Sequence, residues 1–142
     1  MLRRSPALGA IWGLNKLRQP PVHGYELSIL PDEGTLPHFL AEHRDCVVHL
    51  LVSSGEDCEL SKKMTSVLHH TPLGHPRDVK LAMLSAAAAE KLIKDECILA
   101  LPTTLIYFRG KVIDRVVGTR PRELMVKSRF TLRNNDMSPY SV

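Results

Sequence analysis

Two segments of this chain are almost continuously apolar, and they constrain the fold more than any other feature. They are "CVVHLLV", from Cys46 to Val52, and "VKLAML", from Val79 to Leu84. A short run of this kind is typical of a strand that is buried on both faces of a sheet and covered by helices. The sequence therefore predicts an α/β fold in which these two segments are central strands.

The rest of the chain completes an alternating pattern of strands and helices. We expect further strands at 24–30, 103–108 and 112–117, and helices at 36–43, 58–69, 85–95 and 121–130. Ser85 is expected to cap the third helix, and Pro121 to open the last one. The order β-α-β-α-β-α-β-β-α implies a mixed central sheet with helices on both faces, ending in a β-hairpin and a helix.

Length and composition fit one domain with an extension at each end. The chain has 142 residues, of which 44% are hydrophobic and 24% charged, and no segment approaches the ~18 apolar residues that a membrane span needs. We predict an N-terminal extension at 1–23, a domain at 24–131 and a polar tail at 132–142. A net charge of only +4 without runs of Lys or Arg, and 5% aromatic residues, argue against a nucleic-acid partner.

The N-terminal extension is basic and free of acidic residues. It contains Arg3, Arg4, Lys16 and Arg18, and the first acidic residue of the chain is Glu26. Apolar residues between these cations can share one face of a helix. This pattern is typical of mitochondrial targeting, so that the matrix, or the matrix side of the inner membrane, is the predicted location. A disordered basic tail is the alternative.

The chain has three cysteines, Cys46, Cys58 and Cys97, and their wide spacing fits neither a disulfide scaffold nor a zinc site. Cys46 and Cys58 stand at opposite ends of a strand, roughly 20 Å apart at ~3.3 Å per residue, which is too far for a disulfide. A Cys58–Cys97 bridge stays open. The histidines at 69, 70 and 75 border a loop-like segment, and no metal site is predicted.

The segment "LPTTLIYFRGKVIDRVVG" resembles the second half of thioredoxin. It holds Pro102 followed by threonine, an apolar strand, a hairpin turn at Gly110 and a strand that ends at Gly118, before the last helix. The strand from Cys46, followed by a turn, a cysteine and a helix, is similar to the first half, so the likeness covers roughly residues 24–131. The resemblance implies a thioredoxin-like fold in which Pro102 is a cis-proline beside the thiol site.

That family carries two reactive cysteines as C-x-x-C, a motif that this chain lacks. In an alignment set by the strand, Cys58 takes the place of the second cysteine and Gly55 that of the nucleophile. Ser54 then replaces the usual tryptophan, and His49 replaces the usual buried aspartate. This alignment implies a degenerate site without redox activity, formed by Ser54, Gly55, Glu56, Asp57 and Cys58.

In a second alignment, set by the helix, Cys58 is the nucleophile and Ser61 replaces the second cysteine. The sequence "CELS" is then similar to the C-x-x-S of monothiol glutaredoxins. However, Glu56, Asp57 and Glu59 would surround the sulfur, and nearby carboxylates oppose thiolate formation. Both alignments stay open at this point.

Three functions follow from the resemblance. The first is a redox-inactive accessory subunit of a large mitochondrial assembly, bound to protein subunits and without a cofactor. Thioredoxin-like proteins without the dithiol occur in respiratory complexes, complex I among them, and in organellar ribosomes; the modest charge favours a respiratory complex. The second is a monothiol oxidoreductase that uses Cys58 with glutathione. The third is a client-binding domain that uses the backbone edge near Pro102.

Overall fold

A computed structural model of the protein describes residues 24–55 and 59–140, apart from the side chains of Leu60 and Ser61. The N-terminal extension predicted for 1–23 lies outside the described residues, as do Glu56, Asp57 and Cys58. The elements of the described part follow the predicted order β-α-β-α-β-α-β-β-α. The α/β class inferred from the two apolar segments is therefore confirmed.

The strands are β1 Leu27–Ile29, β2 Val47–Ser53, β3 Val79–Ser85, β4 Thr103–Phe108 and β5 Lys111–Val117. They form one mixed sheet in the order β1-β3-β2-β4-β5. β1, β3 and β2 are parallel, whereas β4 is antiparallel to β2 and β5 is antiparallel to β4. The two strands predicted from the apolar segments are β2, which is the central strand, and β3, which lies next to it.

The β4–β5 hairpin has a tight turn and one irregularity. Arg109 and Gly110 form the turn with positive φ angles of 53° and 79°, which suits the right-handed twist of the flanking strands. Tyr107 pairs with Val112, but the preceding Ile106 pairs with Asp114, so that Ile113 has no partner in β4. This extra residue makes a β-bulge, a feature that re-aims side chains at sheet edges.

The α-helices are α1 Leu36–Glu42, α2 Glu59–His70, α3 Glu90–Asp95 and α4 Pro121–Asn134. No helix within residues 24–55 and 59–140 is long and apolar enough to cross a membrane. Helices α2 and α4 cover one face of the sheet and α1 and α3 cover the other, which produces two hydrophobic cores. The first core includes Leu51, Met64, Leu68, Leu124 and Leu132, and the second includes Leu36, Leu40, Leu50, Ala82 and Leu105.

The continuous helix predicted for 85–95 is wrong. Ser85 is the last residue of β3, where it pairs with Ser53, and its side chain makes no capping hydrogen bond. A 3₁₀ turn at Ala86–Ala88 follows, and Ala89 leaves the helical conformation with φ −134° and ψ 33° before α3 begins at Glu90. Pairing within the sheet and burial of Ala89 in the core override the high helix propensity of the alanines.

Helix α4 is longer than predicted. It ends at Asn134, and Leu132 is fully buried beneath the loop that precedes β3. A Cβ atom on Gly74 would overlap the Cδ1 atom of Leu132, so the two residues are in close contact. Met137 also packs against this core. The first residues of the predicted tail at 132–142 are therefore part of the packed domain, because every fourth residue from Leu124 faces the sheet.

Candidate thiol site

The candidate thiol site lies where β2 meets α2. Residues 54–58 connect Ser53, the end of β2, to Glu59, the start of α2. Ser54 is exposed, and Gly55 has φ 150° with no atom within 4 Å of its Cβ position. Because Cys58 and its two predecessors lie outside the described residues, as does the side chain of Ser61, the two alignments of Cys58 remain predictions.

A cis peptide bond stands beside this connection. It joins Leu101 to Pro102, the isomer that the resemblance implies, and Pro102 is buried. β4 begins at the next residue, Thr103, which pairs with Val52 near the end of β2. Pro102 therefore lies next to the last residues of β2. The loop before it is open to solvent, with Leu99 96% exposed.

His49 is a fully buried polar residue on the face of β2 that α2 and α4 cover. Its Nε2 atom lies 3.0 Å from the Oγ atom of Ser128 in α4, and Ser128 donates its hydroxyl hydrogen to the carbonyl of Leu73 at 2.7 Å. Since that hydrogen is used, Nε2 is the donor and Nδ1 carries no proton. Burial lowers the pKa of His49 to about 3, so that the imidazole is neutral near pH 7.

Three buried polar atoms on β2 and β4 have no hydrogen-bond partner among the described residues. They are Nδ1 of His49, Oγ of Ser53 and Oγ1 of Thr104, and all three residues are at most 1% exposed. Alternate residues of β2 share a face, and Thr104 lies directly opposite Leu51, so the three side chains are on the same face of the sheet. Buried polar atoms normally have partners, so these three form an unusual polar group on the face of the sheet that carries His49.

The sequence prediction missed most of this polar group. The position of Ser53 could have been predicted. Because successive side chains of a strand point to opposite faces, residues 49, 51 and 53 of β2 must share one face. Thr104 carries a weaker signal, as a threonine inside an apolar strand. Nothing in the sequence indicates that Ser128, 79 residues after His49, is its hydrogen-bond partner.

The two described cysteines are free thiols in different environments. Cys46 stands at the opposite end of β2 from the candidate site, where its Sγ atom lies 3.4 Å from the carbonyl of Arg77. Burial raises the pKa of the Cys46 thiol, which favours its protonated form. Cys97 is exposed just after α3 with φ 51°. Its predicted alternative pairing with Cys58 is not tested, because Cys58 lies outside the described residues.

Two of the three histidines at the end of α2 and beyond it, His70 and His75, form hydrogen bonds with the local backbone. Nδ1 of His70 lies 2.7 Å from the carbonyl of Ser66, and Nδ1 of His75 accepts a hydrogen bond from the backbone N–H of Arg77 at 3.1 Å. Within the part of the chain that the structure describes, no group of three His, Cys, Asp or Glu residues is placed to hold a metal ion.

The sheet order, the helices on both faces and the cis-proline at the start of β4 define this chain as a protein with the thioredoxin fold. Solved thioredoxins match most of its length. Thioredoxin from Trypanosoma brucei brucei is 18% identical with a TM-score of 0.60, over 81% of this chain and 95% of that one. Thioredoxin f from spinach chloroplast is 19% identical with a TM-score of 0.62, over 74% and 92%.

A third thioredoxin, from Plasmodium falciparum, is 13% identical with a TM-score of 0.62, over 75% of this chain and 98% of that chain. Identities of this size show a common fold and nothing finer. No protein-family model and no curated protein sequence matches the chain. The thioredoxin-like fold predicted from "LPTTLIYFRGKVIDRVVG" is thus confirmed, while activity and partners are matters for proposal.

Proposed function

We propose that this protein is a redox-inactive accessory subunit of a large mitochondrial assembly, with a respiratory-chain complex such as complex I as the first candidate. Its thioredoxin fold serves as a compact unit that contacts neighbouring protein subunits. It needs no cofactor for that role. The proposal places it in the matrix or on the matrix side of the inner membrane.

The observation that carries the proposal is the state of His49. Thiol chemistry of the thioredoxin type requires a second cysteine to resolve a mixed disulfide, and the sequence has no C-x-x-C. It also requires a setting that favours the thiolate. His49, on the strand that leads to the candidate site, is a neutral imidazole that donates a hydrogen bond to Ser128, and it supplies neither a positive charge nor a thiol.

The location rests on the N-terminal sequence. Residues 1–23 are basic and free of acids, which is typical of a mitochondrial targeting segment. A respiratory complex is preferred to the mitochondrial ribosome, because the net charge of +4 is small for a protein that must neutralise RNA phosphates.

The native size of the protein in its own cells tests the proposal. Mitochondria would be solubilised in a mild detergent, the complexes separated on a native gel and the chain detected by antibody. Comigration of nearly all of it with one respiratory complex supports the proposal, and comigration with the ribosome supports the second assembly. A chain that runs alone, near its mass of 15.9 kDa, contradicts the subunit role.

One observation favours a monothiol oxidoreductase as a second candidate. Helix α2 begins at Glu59, immediately after Cys58 in sequence, and a cysteine at a helix N-terminus has a lowered pKa when no acidic groups oppose it. The rate of Cys58 alkylation, measured as a function of pH, separates the two candidates. The Cys58→Ser variant is the control, because it reports the alkylation of exposed Cys97 alone. A Cys58 pKa near the ordinary value of about 8.5 contradicts the enzyme.

A further inference from the structure

Three large apolar side chains are exposed together on α4 and β5. Val126 is 57% exposed and Phe130 64% exposed, and they stand four residues apart, on one side of the helix. The other side of α4, with Leu124 and Leu132, is buried in the core. Ile113, the extra residue of the β-bulge, is 46% exposed at the neighbouring edge of the sheet. The domain's own core is therefore filled without the side chains of Val126 and Phe130.

Phe130 separates two depressions of this surface. One has a volume of about 240 Å³ and is lined by Ile113, Asp114 and Asn134 among others. The second, of about 220 Å³, is lined by Met125, Val126, Phe130, Arg129 and Arg133. An exposed aromatic ring between two concave areas is the arrangement of an anchor residue in protein interfaces, where a few aromatic and arginine side chains supply most of the binding energy.

Three arginines of α4 flank Val126 and Phe130. Among the described residues, Arg122, Arg129 and Arg133 form no ion pair with a carboxylate, whereas Lys127 on the same helix is paired with Asp114 and Glu123. The guanidinium of Arg129 lies 5.6 Å from the centre of the Tyr140 ring, which orients it. Its Nε atom is buried without a partner within the described ranges. The surface thus combines a polar depression beside Ile113, a more apolar one beside Val126, and three arginines without a carboxylate partner among the described residues.

We infer that Ile113, Val126, Phe130 and the flanking Arg122, Arg129 and Arg133 form a docking surface for a protein subunit that presents apolar side chains next to carboxylates. Apolar side chains of the partner pack on Phe130 and fill the depression beside Val126, and its carboxylates pair with the arginines. A second copy of this chain is disfavoured, because a two-fold contact centred on Phe130 would bring the same arginines together. The inference rests on the proposed function and identifies the face through which the subunit binds.

The experiment compares variants of the full chain on the native gel described above. Phe130→Ser removes the aromatic anchor, and Arg122→Glu with Arg133→Glu reverses the charge of two exposed residues. Ile29→Ser, at a 53% exposed position on β1 at the opposite edge of the sheet, is the matched control for the first variant. Lys62→Glu with Lys63→Glu, exposed on α2, is the control for the second. Thermal melting of each purified chain establishes that it folds.

We expect wild type and both controls to comigrate with the assembly. The affinity of the two surface variants for the assembly should fall at least about tenfold, which corresponds to ~1.4 kcal/mol. A photo-crosslinker at position 130 should then join a partner segment rich in apolar and acidic residues. If the surface variants stay in the assembly, or if the crosslink falls on RNA or on a basic segment, the docking surface is wrong while the subunit role stands. If wild type itself runs alone, the proposed function fails and this inference fails with it.

Discussion

The Nε2 atom of His49 and the Oγ atom of Ser128 lie 3.0 Å apart and connect the central strand of the sheet to its last helix. Ser128 also donates to the carbonyl of Leu73, so that one buried hydroxyl holds three distant segments together. His49 therefore has a structural role that does not depend on thiol chemistry. Burial of His49 should also make the folded protein sensitive to acid.

The free energy of unfolding should decrease as the pH is lowered below about 6.5. Burial lowers the pKa of His49 from 6.5 to about 3 in the folded state. The unfolded chain therefore takes up the proton more readily. The contribution of His49 is complete above the unfolded pKa and is lost as the pH falls toward the folded one, by up to about 1.4 kcal/mol per pH unit. Urea unfolding across this range measures the slope.

His49→Asn is the control for this prediction, because it keeps a polar side chain but cannot take up a proton. Its free energy of unfolding should depend less on pH than that of the wild type. The pH dependence that remains in His49→Asn includes the titration of His69, because burial lowers the pKa of that residue as well. Equal slopes for the two proteins would show that His49 is not the group that titrates.

Tyr25→Phe should destabilise the protein by about 1–3 kcal/mol, because it leaves buried polar groups without partners. The Tyr25 hydroxyl accepts hydrogen bonds from the N–H groups of Leu73 and Gly74, at 2.8 and 3.0 Å, and donates to the Gly74 carbonyl. Urea denaturation at neutral pH gives the difference. Tyr140→Phe, at a ring that is 56% exposed, should change the free energy of unfolding by less than about 0.5 kcal/mol.

Gly74→Ala should cost at least about 2 kcal/mol, because the added Cβ overlaps Leu132, lies 2.9 Å from Val79 and is forced onto a backbone with φ 140°. Gly118→Ala separates these two causes. Its φ is 83°, but no atom lies within 4 Å of its Cβ position, so it should cost only about 1 kcal/mol. Thermal unfolding of the two variants tests the ranking, and equal costs would exclude steric overlap as the main cause.

Lys127→Met should cost about 1 kcal/mol and should lose part of that effect in concentrated salt. The Nζ atom of Lys127 donates to the Arg115 carbonyl at 2.7 Å and lies 3.0 and 3.3 Å from the carboxylates of Asp114 and Glu123. Partial burial alone would lower the pKa of Lys127, but the hydrogen bonds to the two carboxylates raise it. Unfolding in low and high salt measures the effect, and Lys62→Met, exposed on α2, should be neutral.

The sequence was sufficient for the sheet and for most of the helices, because their apolar periodicity is strong. It failed where two local signals competed. The alanines after Ser85 favour a helix, but the pairing of Ser85 with Ser53 extends the strand instead. Leu132 is followed by charged and polar residues, "RNND", and only its contact with Gly74 shows that it belongs to the core.

The candidate site was less predictable than the fold. That His49 is buried follows from the apolar strand around it. Its partner Ser128 cannot be identified, since no local pattern links residues so far apart in sequence. The exposure of Phe130 was equally hidden: an apolar residue on an amphipathic helix reads as part of the core, and only the orientation of α4 on the sheet places it in solvent.

The contact between Leu132 and Gly74 also sets an order of events when the chain is made. Synthesis proceeds from the N-terminus, so the central strands leave the ribosome well before Leu132 does. Until α4 arrives, the leucines and methionines that it helps to bury in the folded domain lack that cover. We expect the nascent chain to stay unfolded, and in need of a chaperone, until that helix has emerged. A chain in this state can still be threaded through a narrow membrane pore.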